Sequence, residues 1–185
     1  MREISLHILD IIENSRRAEA DLIKLSIEEK IDKNLLKIKI EDNGSGIEPD
    51  KLKDITDPFI TSRTTREVGL GLSLFKSAAE TCAGNFKINS EIDKGTKVEA
   101  EFQYDHIDRA PLGDMTSTIS NFIATNGENV DLVYKHFCQG KSFKFDSREI
   151  KAELEDVSIQ SRQITVWIRE YIEENLKEIR GGEAF

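Results

Sequence analysis

The stretch Glu41-Asp42-Asn43-Gly44-Ser45-Gly46-Ile47 decides how the rest of the chain is read. It follows Leu36-Lys37-Ile38-Lys39-Ile40, whose two-residue alternation predicts a half-buried strand. A carboxylate therefore stands at a strand end, with two glycines in alternate positions just beyond it. Glycines there let the backbone approach a ligand with no side chain in the way. The carboxylate can accept a hydrogen bond from an exocyclic amine such as that of adenine. Taken alone, the same residues equally suit an ordinary Asn-Gly turn. The segments on either side decide between the two.

Upstream, Ile4, Ile8, Ile11, Ile12 and Ser15 recur at three-to-four spacing and predict a helix over residues 3–18, with Arg16 and Arg17 placed to suit its dipole. Asp10 and Asn14 lie four apart and share one face of it. Their oxygens are the hard ligands that Mg²⁺ accepts beside phosphates and water, although two solvated polar residues would give the same pattern. Residues 22–28 alternate as a strand and, across a turn at 32–34, pair with 36–42 as an antiparallel hairpin.

Downstream, residues 50–55 read as a short helix. Residues 57–69 show little periodicity and hold Pro58, Arg63 and Arg66 among threonines and serines, the texture of a long loop that acts as a lid. Gly69-Leu70-Gly71-Leu72-Ser73 opens a helix over residues 70–82 that Gly84 stops. A glycine-flanked helix N-terminus attracts phosphate through free N–H groups and the dipole. The spacing is neither G-x-G-x-x-G nor a P-loop. Residues 85–91 and 96–104 form a second hairpin turned at Asp93-Lys94-Gly95, and Thr96 opens its second strand.

Together, in this order and spacing, the four segments resemble the GHKL (Bergerat) superfamily: histidine-kinase catalytic domains, gyrase and mismatch-repair ATPases, the ninety-kilodalton chaperone and anti-sigma kinases. The likeness runs from Ile4 to about Phe102. It implies a two-layer α/β (α+β) sandwich, a mixed and mostly antiparallel sheet covered by helices on one face. It implies ATP or ADP as ligand, with Mg²⁺ held by Asn14. Asp42, Gly44, Gly46 and Ile47 fall on the first glycine box, whose aspartate takes the adenine amine. Pro58-Phe59 with Thr61 and Arg63 resembles the ATP lid. Gly69, Leu70, Gly71 and Leu72 fall on the second glycine box at the triphosphate, and Thr96 on the threonine behind the adenine.

The hydrolysing members carry a glutamate four residues before that asparagine. Asp10 stands there instead, a carboxylate one methylene shorter, and is the candidate catalytic residue for slow hydrolysis. Glu13 points about 100° away round the helix and is no substitute. His7 reads as a packing or surface residue rather than a phosphate contact. Only about thirteen residues precede Asn14, so a kinase of this kind takes its phosphoacceptor from another protein. The expected function is a stand-alone histidine-kinase-like module acting on a protein partner. The alternatives are a slow ATPase switch that dimerises, or an anti-sigma-like regulatory module.

Residues 1–105 are thus expected to form the ATP-binding domain and residues 106–185 a smaller α/β extension of unknown role. In the extension, helices are predicted over 114–125, 147–154 and 161–179, and a hairpin over 130–138 and 142–145. Lys135, Lys141 and Lys144 are candidates for a lysine reaching the terminal phosphate. The net charge is −9, divided −5 and −4 at Asp105, which argues against nucleic acid as partner. No run approaches the roughly 20 apolar residues of a membrane span, and the N-terminus lacks a signal pattern, so a cytoplasmic location is expected. Cys82 and Cys138 share no metal-ligand spacing and read as buried thiols.

Overall fold

The computed structural model describes residues 3–56 and 70–181. Helix α1 (Ile4–Arg17) leads into β1 (Leu22–Lys30), a 3₁₀ turn and β2 (Leu35–Asp42). Then come α2 (Pro49–Thr56), α3 (Leu70–Thr81), β3 (Asn85–Glu91) and β4 (Gly95–Gln103). The second half supplies α4 (Met115–Asn126), β5 (Asp131–Cys138), β6 (Lys141–Asp146), α5 (Ser147–Glu153) and α6 (Arg162–Ile179). Each of the predicted helices and strands is present, displaced by at most a few residues at its ends.

The six strands form one sheet in the order β3-β4-β2-β1-β5-β6. Every pairing is antiparallel except β1 with β5, where Ile23, Leu25 and Ile27 stand beside Leu132, Tyr134 and His136. The sheet therefore runs without a break across residue 105, and β5 and β6 extend the edge that β1 would otherwise expose.

Strand alternation sets the two faces. Ile23, Leu25 and Ile27 of β1, Leu36, Ile38 and Ile40 of β2, and Val98, Ala100 and Phe102 of β4 point inward and are buried. A one-residue slip would turn every one of these outward, so burial fixes the register. The opposite face carries charges that pair along and across strands: Lys37 with Glu101 at 3.0 Å, Lys39 with Glu41 at 2.8 Å and Lys97 with Glu99 at 2.7 Å. Such exposed pairs contribute little stability and keep that face wet.

The helices cover the inward face. The stripe Ile4, Ile8, Ile11, Ile12 of α1 is buried against it, and Phe75 of α3 is fully buried among His7, Phe86 and Phe102. In the second half, α4 and α6 pack together, and Ile119, Phe122 and Ile123 of the one and Ile168, Ile172 and Leu176 of the other belong to the same core. The apolar stripe predicted for α6 packs on its own chain, although Trp167, stacked on Tyr171, keeps 45% of its surface exposed.

Candidate functional site

Asp42 ends β2 and is held from three sides. Its Oδ1 accepts the Gly44 N–H at 3.0 Å and the Thr96 N–H at 3.1 Å, and its Oδ2 accepts the Ser15 hydroxyl at 2.6 Å. A carboxylate has about four acceptor positions, and among the described residues three are taken. The remaining one is on Oδ2. Three separate elements, α1, β2 and β4, thus converge on one side chain.

A cavity of about 590 Å³ opens beside it. Asn14, Asp42, Gly46, Ile47, Leu72 and Thr96 line this single space, together with the apolar Ile11 and Val98. Asn14, the residue before Ser15 on α1, also lines it, and among the described residues its Oδ1 receives only a long 3.4 Å contact from Arg17. Ile47 donates its N–H to Ser90 at 2.8 Å, and Ser90 is 2.9 Å from the Thr96 hydroxyl, so the glycine loop is stitched to the β3–β4 hairpin.

The glycines of the loop also serve the protein's own packing. Gly46 has φ +74°, and a β-carbon there would stand 2.2 Å from the Glu91 carbonyl oxygen. At Gly44 a β-carbon would meet the Ala18 carbonyl oxygen at 2.6 Å. The missing side chains let the loop lie on the ends of α1 and β3. Gly71, in the first turn of α3, lies against Asp10, where a β-carbon would be 3.0 Å from the Asp10 Cβ. Asp10 is exposed, and neither it nor Gly71 is among the residues around the cavity. Leu70 opens α3. Thr61, Arg63 and Gly69 lie outside the described residues.

Other candidates are placed elsewhere. His7 is buried and stacks on Phe75 at 5.5 Å, and burial holds its pKa below the usual imidazole value. Glu13 faces away, accepting from Arg16 at 2.8 Å and from Asn126 at 3.4 Å. None of the three lysines of the second half lines the cavity: Lys135 is exposed on β5, Lys141 donates to the Glu178 carbonyl, and Lys144 pairs with Glu149.

Ser15 and Ser90 were not singled out from the sequence as site residues. The signal was present: each occupies an inward position of an apolar repeat, where a hydroxyl must find a partner. The same holds for His136. It is fully buried, receives the Tyr134 hydroxyl at Nδ1 (2.6 Å) and donates from Nε2 to Glu29 at 2.7 Å. Arg180 Nη2 meets the same Glu29 oxygen at 2.6 Å, and Tyr104 donates to the other at 3.0 Å. Burial opposes ionisation of Glu29, but the His136 hydrogen bond and the Arg180 charge outweigh it and bring its pKa down to about 2. Burial lowers the His136 pKa, and the Glu29 carboxylate, which can only accept, sets the proton on the Nε2 that faces it.

Among the described residues, no helix is long and apolar enough to cross a membrane, and no cluster of three His, Cys, Asp or Glu side chains could hold a metal ion.

Comparison with known proteins matches residues 2–106 to the family described as histidine kinase-, DNA gyrase B- and HSP90-like ATPase. The chain is similar to sporulation kinase D of Bacillus subtilis, 36% identical over 92 residues, covering 49% of this chain and 18% of that protein. It is also similar to an uncharacterized sensor-like histidine kinase of Rhizobium meliloti, 34% identical over 79 residues, covering 40% of this chain and 15% of the relative. The chain thus spans less than a fifth of these relatives. Among solved structures, the Aquifex aeolicus MutL ATPase domain complexed with ADP superposes with a TM-score of 0.54 at 18% identity, over 84% of this chain and 68% of that one. That likeness extends through the second half and is one of fold.

Proposed function

The chain belongs to the histidine kinase-, DNA gyrase B- and HSP90-like ATPase family, and from that premise we propose that it binds ATP with Mg²⁺ in the cavity beside Asp42 and passes phosphate to a protein partner. The observation that carries this reading is the single acceptor position left on Asp42 Oδ2 in a cavity shared with Asn14 and Thr96. One N–H of the adenine amine would fill it. Ile11, Leu72 and Val98 offer apolar surface for the ring, and Thr96 and Ile47 flank it.

The donor set suits Mg²⁺ as it is held beside a nucleotide. One neutral hard oxygen, Asn14 Oδ1, lines the cavity and has no strong partner among the described residues, and phosphates and water would supply the remaining ligands. When bound, the ion would neutralise charge on the triphosphate. The first turn of α3, with Leu70 and Gly71, offers N–H groups and a positive helix end to the phosphates. Gly69 and the lid residues Thr61 and Arg63 are proposed to close over them.

The three histidines of this chain are not placed as the phosphoacceptor. His7 and His136 are buried and none of the three lines the cavity. Slow hydrolysis is a second reading, supported by the placement of the exposed Asp10 beside Gly71. A homodimer would accompany that reading.

The test is a titration with ATP and Mg²⁺ followed by assays of inorganic phosphate release and of transfer from labelled ATP to co-purified protein. In Asp42→Asn the amide oxygen can keep the Gly44 and Thr96 contacts, but its NH₂ group then faces the adenine amine. Loss of a charged hydrogen bond plus an unmatched donor costs about 3 kcal/mol, about a hundredfold in affinity. Wild-type affinity in Asp42→Asn would defeat the assignment.

A further inference from the structure

A second cavity, about 620 Å³, lies between the start of α4, α6 and the far end of β1. It shares no lining residue with the cavity beside Asp42. Its chemistry is unlike a solvated cleft. Thr116, in the first turn of α4, is 4% exposed, lines the cavity, and its hydroxyl has no hydrogen-bond partner among the described residues. Such a group is costly to bury and is usually satisfied by protein, water or ligand. The N-cap Asp114 takes the Ser117 N–H and Gly113 takes the Met115 N–H, which leaves the Thr116 N–H beside the hydroxyl.

The cationic groups on the walls are not used up. Arg169 makes no hydrogen bond or ion pair among the described residues. Arg109 lies over the Tyr104 ring and spends Nε and Nη1 on the Tyr104 and Ala110 carbonyls, leaving Nη2. The acids, by contrast, are engaged. Glu29 is held by His136, Arg180 and Tyr104, Asp114 caps α4, Glu3 accepts from Ser5, and Glu173 pairs with Lys177. Ile31, Pro111 and Leu112 add apolar wall.

We propose that this cavity binds a small organic monocarboxylate with an apolar body, its carboxylate between Arg169, Arg109 and the Thr116 hydroxyl. The acids on the rim disfavour a second negative charge, which selects a monoanion over a phosphate. The apolar wall gives the body a place to lie.

The experiment is a fluorescence titration of the full chain with 8-anilinonaphthalene-1-sulfonate, an apolar monoanion, first without nucleotide and then with ATP and Mg²⁺ added to saturation, with displacement by 4-phenylbutyrate. We expect saturable binding that ATP does not displace, 4-phenylbutyrate does, and inorganic phosphate does not. Arg169→Ala, at an exposed and unpaired side chain, should weaken it at least tenfold with the melting temperature unchanged. Thr116→Val should weaken it at least threefold yet melt no lower than the parent, because it removes a hydroxyl that nothing satisfies. Equal binding by Arg169→Ala, displacement by ATP, or equal displacement by phosphate would overturn the proposal. The titrations do not depend on Asp42, so failure here leaves the nucleotide site standing.

Discussion

Replacing Glu29 by Gln isolates the charge that ties the C-terminal helix to the sheet. The amide can keep its oxygen toward His136 and Arg180 and turn its NH₂ toward the Tyr104 hydroxyl, so shape and hydrogen-bond number survive. What disappears is the negative charge beside Arg180, whose side chain is only 14% exposed. The magnitude follows from the pKa. Glu29 falls from 4.5 to about 2 on folding, and each unit corresponds to about 1.4 kcal/mol, giving about 3 kcal/mol at neutral pH. For a chain of this size that is a melting temperature lower by roughly 6–12 °C. Because the folded pKa is the lower one, the contribution is full above about pH 4.5 and is lost as pH falls through about 2. Scanning calorimetry of both proteins should show the gap narrowing to about 2 kcal/mol at pH 3.5. Glu29 is seven residues along β1 from Leu22, roughly 23 Å, so ATP affinity should not change. A difference under 2 °C at neutral pH, or a gap independent of pH, would refute this account of the network.

Other substitutions probe the site itself. Ser15→Ala removes the hydroxyl that orients Asp42 Oδ2, and ATP affinity should drop roughly fivefold, about 1 kcal/mol by calorimetry. Gly46→Ala forces a side chain into φ +74° and into the Glu91 carbonyl, so it should destabilise the protein by about 2 kcal/mol or more in urea unfolding and abolish ATP binding. Asp10→Asn should eliminate phosphate release while leaving melting temperature and ATP affinity intact, since the side chain is exposed. Phe75→Ala, at a fully buried ring packed on His7 and Phe102, should cost about 3–5 kcal/mol in urea unfolding.

Much of this was legible because the sequence is consistent at each level. The alternation of β1, β2 and β4 and the three-to-four spacing of α1 name the buried face directly, and the loop glycines mark where the chain must bend. A common site for Asn14, Asp42 and Thr96 was suggested only by the resemblance, since residues so far apart are brought together by strand order, which no local pattern encodes. For the same reason the parallel pairing of β1 with β5 was not visible: a crossover from Lys30 to Asp131 leaves no periodic trace. The roles of Ser15, Ser90 and His136 were hidden because a polar residue on an inward stripe declares that it needs a partner without saying which. Asn43 is a further case. The Asn-Gly pair suggested a turn, yet its side chain caps the start of β1, accepting the Leu22 N–H at 3.0 Å.

The most direct test compares ATP with inosine triphosphate by calorimetric titration in Mg²⁺. The two differ at the exocyclic position that the free Asp42 acceptor is proposed to read. ATP should bind at least thirtyfold more tightly, about 2 kcal/mol, and the preference should reverse in Asp42→Asn, whose NH₂ group can donate to the 6-oxo group of inosine. Equal affinity for both nucleotides in the wild-type protein would contradict the placement of the purine against Asp42.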